Sequence, residues 1–189
     1  SAIKTCLPLF EHKLAESSQD SLAHVNGRFD PTSLKAKTAI TLLQEGLEMG
    51  DLAACQEGSR NLAGLGIGLT PAGDDYLLGV IYGLWLTEAL SRRLVLSDVE
   101  VDAKAQKIIE ILAQEAVART TTLSAAWLRA AARGEAAQPW HELVSAMRNG
   151  GETVRTEPTV IQAIDHILTT GHTSGADALA GFIMALKTS

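Results

Sequence analysis

The chain reads Gly64-Leu65-Gly66-Ile67-Gly68-Leu69-Thr70-Pro71-Ala72-Gly73-Asp74-Asp75 immediately before an apolar run from Tyr76 to Leu86. Glycine adopts backbone angles that other residues resist, and it leaves the neighbouring amide groups accessible. Asp74 or Asp75 can cap the helix that the apolar run predicts. We therefore expect a glycine loop leading into the N-terminus of a buried helix, where backbone N–H groups and the helix dipole favour an anion.

The composition favours one fold class. The chain has 189 residues, of which 46% are hydrophobic and 20% charged, and we expect a single globular domain over residues 1–189. Aromatic residues make up only 4%, which favours helices packed through small residues over a β-sandwich. The sequence predicts an all-α, compact bundle of about eight or nine helices, with two central hydrophobic helices that glycine-rich turns precede.

Charge and hydropathy exclude several classes of partner. The formal net charge of −6 provides no electrostatic footprint for nucleic acid. The longest apolar run, about a dozen residues, is too short to span a bilayer, so no membrane contact is expected. The chain does not open with a charged segment followed by an apolar one. We expect no signal peptide and a cytoplasmic location.

Capping and stop residues predict the helix boundaries. Thr32 or Ser33 is predicted to cap a helix that stops at Gly50, and Asp51 to cap the helix that runs into the glycine loop. Three further boundaries rest on the same signals: the first central helix is predicted from Asp75 to Leu90, a long amphipathic helix begins at Asp98, and the last apolar helix runs from Ala178 to Leu186.

A second stretch repeats the construction of the first. The residues Gly171-His172-Thr173-Ser174-Gly175-Ala176-Asp177 precede the last apolar helix. With one residue deleted, both stretches read Gly-x-Thr, a small glycine turn, Asp-x-Leu-x-Gly and an apolar helix. Chance similarity in a chain rich in glycine and alanine is one interpretation. The other is that two helix N-termini of the same construction face one site and direct their dipoles at a shared anion.

Three aspartates are candidates for chemistry. The adjacent carboxylates of Asp74 and Asp75 repel each other, and a helix cap needs only one of them, so the pair is the strongest candidate for proton transfer. Together with Asp177 they are candidate ligands of a divalent metal, with Mg²⁺ as the candidate cofactor. Helix capping is the structural alternative, and it is the preferred interpretation for Asp177 alone.

Two polar turns supply further candidates. His172 stands beside Thr173 and Ser174 and is a candidate catalytic proton donor, although a single histidine is commonly structural or exposed. The stretch Arg119-Thr120-Thr121-Thr122-Leu123-Ser124 places a guanidinium and several hydroxyls at a helix start, which suits phosphate or carboxylate; a structural hydroxyl cap is the alternative. The predicted anion-binding set is Gly66, Gly68, Thr70, Gly73, Arg119, Thr120, Thr121, Thr173, Ser174 and Gly175.

The glycine loop, the Arg119 turn and the Gly171 turn, in this order, resemble the AllH family, formerly a domain of unknown function and now linked to oxamate carbamoyltransferase. The resemblance covers at least residues 62–186. It implies a multi-subunit cytoplasmic enzyme of anaerobic allantoin (purine) breakdown that interconverts oxalurate plus phosphate with oxamate plus carbamoyl phosphate. Family members are usually longer at the N-terminus, which implies that this chain lacks an N-terminal portion. The resemblance assigns no role to individual residues.

Three functions stay open at this point. The first is a subunit of a carbamoyl-transferring enzyme, with other subunits as partners and a small anion as substrate. The second is an independent metal-dependent all-α enzyme that binds a phosphorylated ligand through aspartate-rich helix starts. Its glycine-aspartate turns resemble, over a few residues, those of ADP-ribosylglycohydrolase-like and dihydroxyacetone-kinase-like proteins. The third is a non-catalytic assembly subunit whose glycine loop is architectural.

Overall fold

A computed structural model describes residues 2–94, 103–149 and 157–188. These residues form nine α-helices and one 3₁₀ helix and contain no strand, which confirms the predicted all-α class. The predicted helix start at Asp98 lies outside the described residues. The helices are α1 (Ala2–Ala15), the 3₁₀ helix (Leu22–Gly27), α2 (Pro31–Met49), α3 (Leu52–Leu62), α4 (Ala72–Leu94), α5 (Ala103–Val117), α6 (Thr122–Ala132), α7 (Gln138–Asn149), α8 (Glu157–Leu168) and α9 (Ser174–Lys187).

Helices α4 and α9 are the two central hydrophobic helices, and they lie side by side in parallel. A Cβ atom on Gly79 would overlap the carbonyl oxygen of Ala178, and one on Gly83 would lie 2.7 Å from Cβ of Ala185. The contact therefore advances in the same direction along both helices. Because the two helices are parallel, their N-termini lie at the same end of the domain. Every residue of α9 from Gly175 to Leu186 is buried.

The start of α2 differs from the prediction, whereas its end and the start of α3 agree. Asp30, not Thr32 or Ser33, is the N-cap of α2, and its carboxylate accepts a hydrogen bond of 3.0 Å from the Ser33 amide. Pro31 then occupies the first turn, where its missing N–H has no cost. Gly50 ends α2 in the left-handed conformation, with φ of 64°. Asp51 caps α3, as predicted.

Both central helices begin before the predicted positions. Helix α4 starts at Ala72 instead of Asp75, because the amides of Asp74 and Asp75 already bond to the carbonyl oxygen of Pro71. Helix α9 starts at Ser174 instead of Ala178. The capping interpretation of the aspartates is therefore wrong, since Asp74, Asp75 and Asp177 lie in the first turns. Their carboxylates are left to bond with other parts of the chain.

The N-terminal elements pack against α9. The rings of Phe10 in α1 and Phe182 in α9 meet edge to face with centroids 5.8 Å apart. Trp140 of α7 also contacts the Phe182 ring, with ring centroids 5.2 Å apart. Phe182 thus joins α9 to α1 and α7. Within the described ranges, none of the helices has the length and apolar character needed to cross a membrane.

Candidate functional site at the start of the two central helices

The glycine loop between α3 and α4 has a conformation that requires glycine. Gly64, Gly66 and Gly68 have φ angles of 70°, 120° and 106°, a region that side chains disfavour. The amide of Gly73 closes the loop by donating to the carbonyl oxygen of Leu65 at 2.9 Å. Among the described residues, none accepts a hydrogen bond from the amides of residues 66–70. The loop therefore presents a run of backbone donors next to the N-terminus of α4.

The second glycine turn meets the first at this end of the domain. The Thr70 hydroxyl lies 3.1 Å from the Ser174 hydroxyl, which begins α9. This contact joins residues 104 positions apart and follows from the parallel arrangement of α4 and α9. The positive ends of two helix dipoles thus lie together, as expected if the two stretches face one site.

The third polar turn, between α5 and α6, holds the glycine loop in place. The Thr120 hydroxyl donates to the Asp74 carboxylate. The Thr121 hydroxyl donates to the Leu69 carbonyl at 2.7 Å and, as the N-cap of α6, accepts from the Ser124 amide. Both threonine hydroxyls of this turn that we predicted to bind an anion are therefore engaged with the protein. The structural hydroxyl cap, the alternative interpretation, describes Thr121.

The Arg119 guanidinium is paired with a carboxylate from the end of α5. It lies 3.0 Å from the Glu115 carboxylate and retains 40% side-chain exposure. The Arg119 carbonyl group lies against Gly64, where a Cβ atom would come within 2.6 Å of its oxygen. The backbone of this turn thus contacts the glycine loop, while the guanidinium has access to solvent. As an anion ligand, Arg119 stays a prediction.

The adjacent carboxylates of Asp74 and Asp75 have different surroundings. One oxygen of Asp74 accepts from the Gly64 amide at 2.8 Å, and the other accepts from Thr120. Asp75 is only 7% exposed, and its Oδ2 has no hydrogen-bond partner among the described residues. Asp74 therefore stabilises the loop, whereas Asp75 has one buried oxygen that is free to accept a hydrogen bond.

Burial raises the pKa of Asp75 to about 7. The carboxylate of Asp177 adds to this increase through like charge, and hydrogen bonds from the Ser174 and Thr70 hydroxyls act in the opposite direction. A carboxyl group with this pKa exchanges its proton near neutral pH. That property suits a general acid or base, which works best when its pKa lies close to the operating pH.

A small cavity adjoins Asp75, between α4 and α6. Its volume of about 10 Å³ is roughly that of one water molecule. Ser124 also lines this cavity; its side chain is 2% exposed, and its Oγ lacks a hydrogen-bond partner in the described part of the chain. The lining residues are Thr70, Asp74, Asp75, Leu78, Ser124, Trp127 and Leu128.

Ser124 is absent from the predicted site residues, although the sequence contains a signal for it. Its position four residues before the buried Leu128 places a hydroxyl on the apolar face of α6.

The rim of the site is apolar, because Ile67 and Leu69 of the glycine loop are 97% and 75% exposed. Trp127, which lines the cavity, is half-exposed.

Asp177 has a different role from its counterpart Asp75 in the repeat. Its carboxylate is fully buried and accepts from the Ser21 hydroxyl at 2.8 Å and the Leu22 amide at 2.6 Å. Burial raises the pKa of Asp177, and these two bonds oppose the increase. Asp177 thus links the 3₁₀ helix to α9.

In residues 2–94, 103–149 and 157–188, no three His, Cys, Asp or Glu side chains are grouped to hold a metal ion. Asp74, Asp75 and Asp177 as ligands of Mg²⁺ stay a prediction.

The remaining predicted residues of the second turn lie outside the Asp75 cavity. His172 is 82% exposed, 3.7 Å from Asp20, and lines a separate cleft of about 260 Å³ with Lys13 and Asp165. The structure does not bring it to Asp75. Thr173 is the N-cap of α9 and makes no capping bond with its side chain. Two predicted anion-binding glycines are packing positions: a Cβ atom on Gly73 would overlap the carbonyl of Leu62, and one on Gly175 would overlap that of Ile167.

Comparison with known proteins identifies one family. The family model described as oxamate carbamoyltransferase subunit AllH matches residues 62–186. The match includes the glycine loop, the Arg119 turn, Ser124 and the first turn of α9. No solved structure matches the chain.

Proposed function

The chain belongs to the AllH family of oxamate carbamoyltransferase subunits, and on that premise we propose that it contributes a catalytic site to a carbamoyl-transferring enzyme. The proposed reaction converts oxalurate and phosphate into oxamate and carbamoyl phosphate, and the reverse, in cytoplasmic allantoin breakdown. Other subunits of the complex are its partners. The proposed site lies where the glycine loop, the starts of α4 and α9, and the Arg119 turn meet.

The glycine loop and the helix ends support the binding of a small anion. The amides of residues 66–70 are available as donors, and the two helix dipoles direct positive potential to the same place. Phosphate, oxalurate, oxamate and carbamoyl phosphate all carry negative charge. Backbone donors at helix N-termini are suited to such groups, and positioning supplies much of the rate of a transfer reaction.

Asp75 is the observation that carries the proposal. In the direction that forms carbamoyl phosphate, a phosphate oxygen attacks the carbamoyl carbon of oxalurate and loses its proton. The bond from that carbon to the nitrogen shared with the oxalyl group breaks, and this nitrogen, which becomes the amide nitrogen of oxamate, gains a proton. A buried carboxyl group with a pKa of about 7 and an unpartnered oxygen can accept the first proton and donate the second. Asp75 meets these requirements.

The test is Asp75→Asn in the full chain assembled with its partner subunits. Loss of a general acid–base group should lower kcat by about a hundredfold or more. Phosphate binding, measured by calorimetry, should persist because the loop amides are unchanged. Asp74→Asn is the matched control: its side chain still accepts from the Gly64 amide, so we expect a loss of stability with a much smaller loss of rate.

Equal kcat in Asp75→Asn and the unaltered enzyme would refute the catalytic proposal. An Asp75→Asn variant with unchanged rate but impaired assembly would indicate a non-catalytic subunit whose glycine loop is architectural. Metal analysis of the purified complex, with a titration that compares Asp75→Asn and Asp74→Asn, tests the metal-dependent alternative.

A further inference from the structure

We infer that Asp75 and Ser124 together form a subsite for a primary amide, the carbamoyl or oxamate –CO–NH₂ group of the substrate. The Asp75 carboxylate accepts one N–H of the amide –NH₂ group, and the Ser124 hydroxyl oxygen accepts the other. This inference rests on the proposed function, because it names the part of the substrate that the same site holds. It adds Ser124 as a residue that positions the substrate.

Two unpartnered polar atoms at one cavity are the main evidence. Asp75 Oδ2 and Ser124 Oγ are both buried, both lack partners among the described residues, and both belong to residues that line the cavity beneath Trp127. A buried polar atom without a hydrogen bond costs free energy, and native proteins rarely leave one unpaired. Their occurrence at one small cavity indicates a ligand atom that can donate to both, as the nitrogen of a primary amide does with its two N–H bonds.

The surroundings favour a neutral amide over an anion at this position. Asp75 lies close to the carboxylates of Asp74 and Asp177, which both raise its pKa through like charge. An anionic group next to this cluster would be repelled, whereas an amide N–H₂ group provides donors. Leu78 and Leu128 complete the cavity wall with apolar surface that suits a small planar group. The anionic end of the substrate would then lie at the loop amides.

The cavity is large enough for one atom of the amide, its –NH₂ nitrogen. A volume of about 10 Å³ admits a group of the size of water, such as the –NH₂ nitrogen. The half-exposed Trp127 forms part of the wall, so the rest of the substrate can extend towards the solvent side. An ordered water could satisfy the same two atoms, and the experiment must separate these occupants.

The test uses Ser124→Ala in the full chain assembled with its partner subunits, with oxamate and inorganic phosphate titrated separately by calorimetry. Loss of one hydrogen bond should raise the Kd for oxamate about tenfold and leave the Kd for phosphate within about twofold. Ser59→Ala is the matched control, because Ser59 is also buried but its hydroxyl donates to the Leu112 carbonyl at 2.8 Å. It should melt at a lower temperature and bind oxamate normally.

An unchanged Kd for oxamate in Ser124→Ala would overturn the inference and assign the cavity to water. An equal loss of oxamate and phosphate affinity would also overturn it, since it would indicate an anion subsite. Ser124→Thr, which adds a methyl group at the cavity, is a second variant that should exclude oxamate and keep phosphate binding. The proposed function has a separate test: the kcat of Asp75→Asn can fall whatever Ser124→Ala does.

Discussion

Asp74 and Asp75 show how adjacent identical residues acquire different roles. Both oxygens of Asp74 bond to the loop and the Arg119 turn. Asp75 lies on the side of α4 that faces Ser174, Asp177 and the cavity, and it keeps one oxygen unpartnered. The first carboxylate stabilises the site, and the second is available for chemistry. The two aspartates have different partners because their side chains leave the helix in different directions, although the residue type is the same.

The raised pKa of Asp75 predicts a pH-dependent stability. Its pKa is 3.8 ordinarily and about 7 in the folded protein, so the folded state binds more protons between these values. The stability that Asp75 contributes is complete below about pH 4 and is lost as the pH rises through about 7. Asp75→Asn should therefore be more stable relative to the unaltered protein at pH 8 than at pH 5, by about 1–3 kcal/mol.

Urea unfolding of both proteins at pH 5 and pH 8 measures this difference. Asp177, whose pKa burial also raises, is present in both proteins, so its burial cost cancels and only its like-charge interaction with Asp75 differs between them. A stability difference that is the same at both pH values would contradict the raised pKa. A variant less stable than the unaltered protein at pH 8 would indicate that Asp75 has a structural role.

At the scale of elements, the parallel contact of α4 and α9 places the site. Gly79 and Gly181 bring the two backbones together, because a Cβ atom on either would overlap a carbonyl oxygen of the other helix. Glycine inside a helix costs stability, and the close approach offsets that cost. The result is that Thr70 and Ser174 meet at one end.

Gly79→Ala should separate these helices. The new Cβ would overlap the Ala178 carbonyl group, and a backbone must move to relieve the overlap, so we expect the free energy of unfolding to fall by about 2–4 kcal/mol. Gly27→Ala is the control, since a Cβ there meets no atom within 4 Å, and it should change stability by about 0.5 kcal/mol or less. Thermal melts compare the two. Equal melting temperatures for both variants would contradict the packing described.

At the scale of the whole molecule, residues before the family match belong to the same core. The match begins at residue 62, yet Phe10 packs on Phe182, and Asp177 bonds to Ser21 and Leu22. The N-terminal elements thus cover one side of α9. Helix α6 covers the corresponding side of α4, where Ser124 and Trp127 line the cavity.

A fragment of residues 62–189 should therefore fail to unfold cooperatively. It would expose Phe182 and leave the Asp177 carboxylate without its partners from residues 21 and 22. In the full chain, Phe10→Ala should lower the free energy of unfolding by about 3–5 kcal/mol for the same reason. Circular dichroism during heating measures both. A fragment that melts sharply, close to the temperature of the full chain, would show that the N-terminal elements are dispensable for folding.

The part of this protein that sequence determines is local. Helix periodicity, the glycine stop at Gly50 and the cap at Asp51 act over a few residues, and they correctly predict an all-α chain with two apolar helices after glycine turns. The repeated pattern likewise predicts that both turns have the same construction. The starts of α4 and α9 differ from the prediction, because aspartate is favoured both at the cap and in the first turn.

The tertiary structure alone decides which of the adjacent carboxylates keeps an unpartnered oxygen in a residue that lines the cavity. Thr120, which donates to Asp74, lies 46 residues further along the chain, and Ser174 and Asp177, which act on Asp75, lie about 100 residues further. No local pattern indicates these distant partners. The structure likewise separates His172 from the site and adds Ser124 to it. Asp75 and Asp177, equivalent in the repeat, differ because Asp75 lines a cavity beside α6, whereas Ser21 and the Leu22 amide of the 3₁₀ helix donate to Asp177. Burial and hydrogen bonding between distant segments determine reactivity, whereas sequence determines the helices that carry those segments.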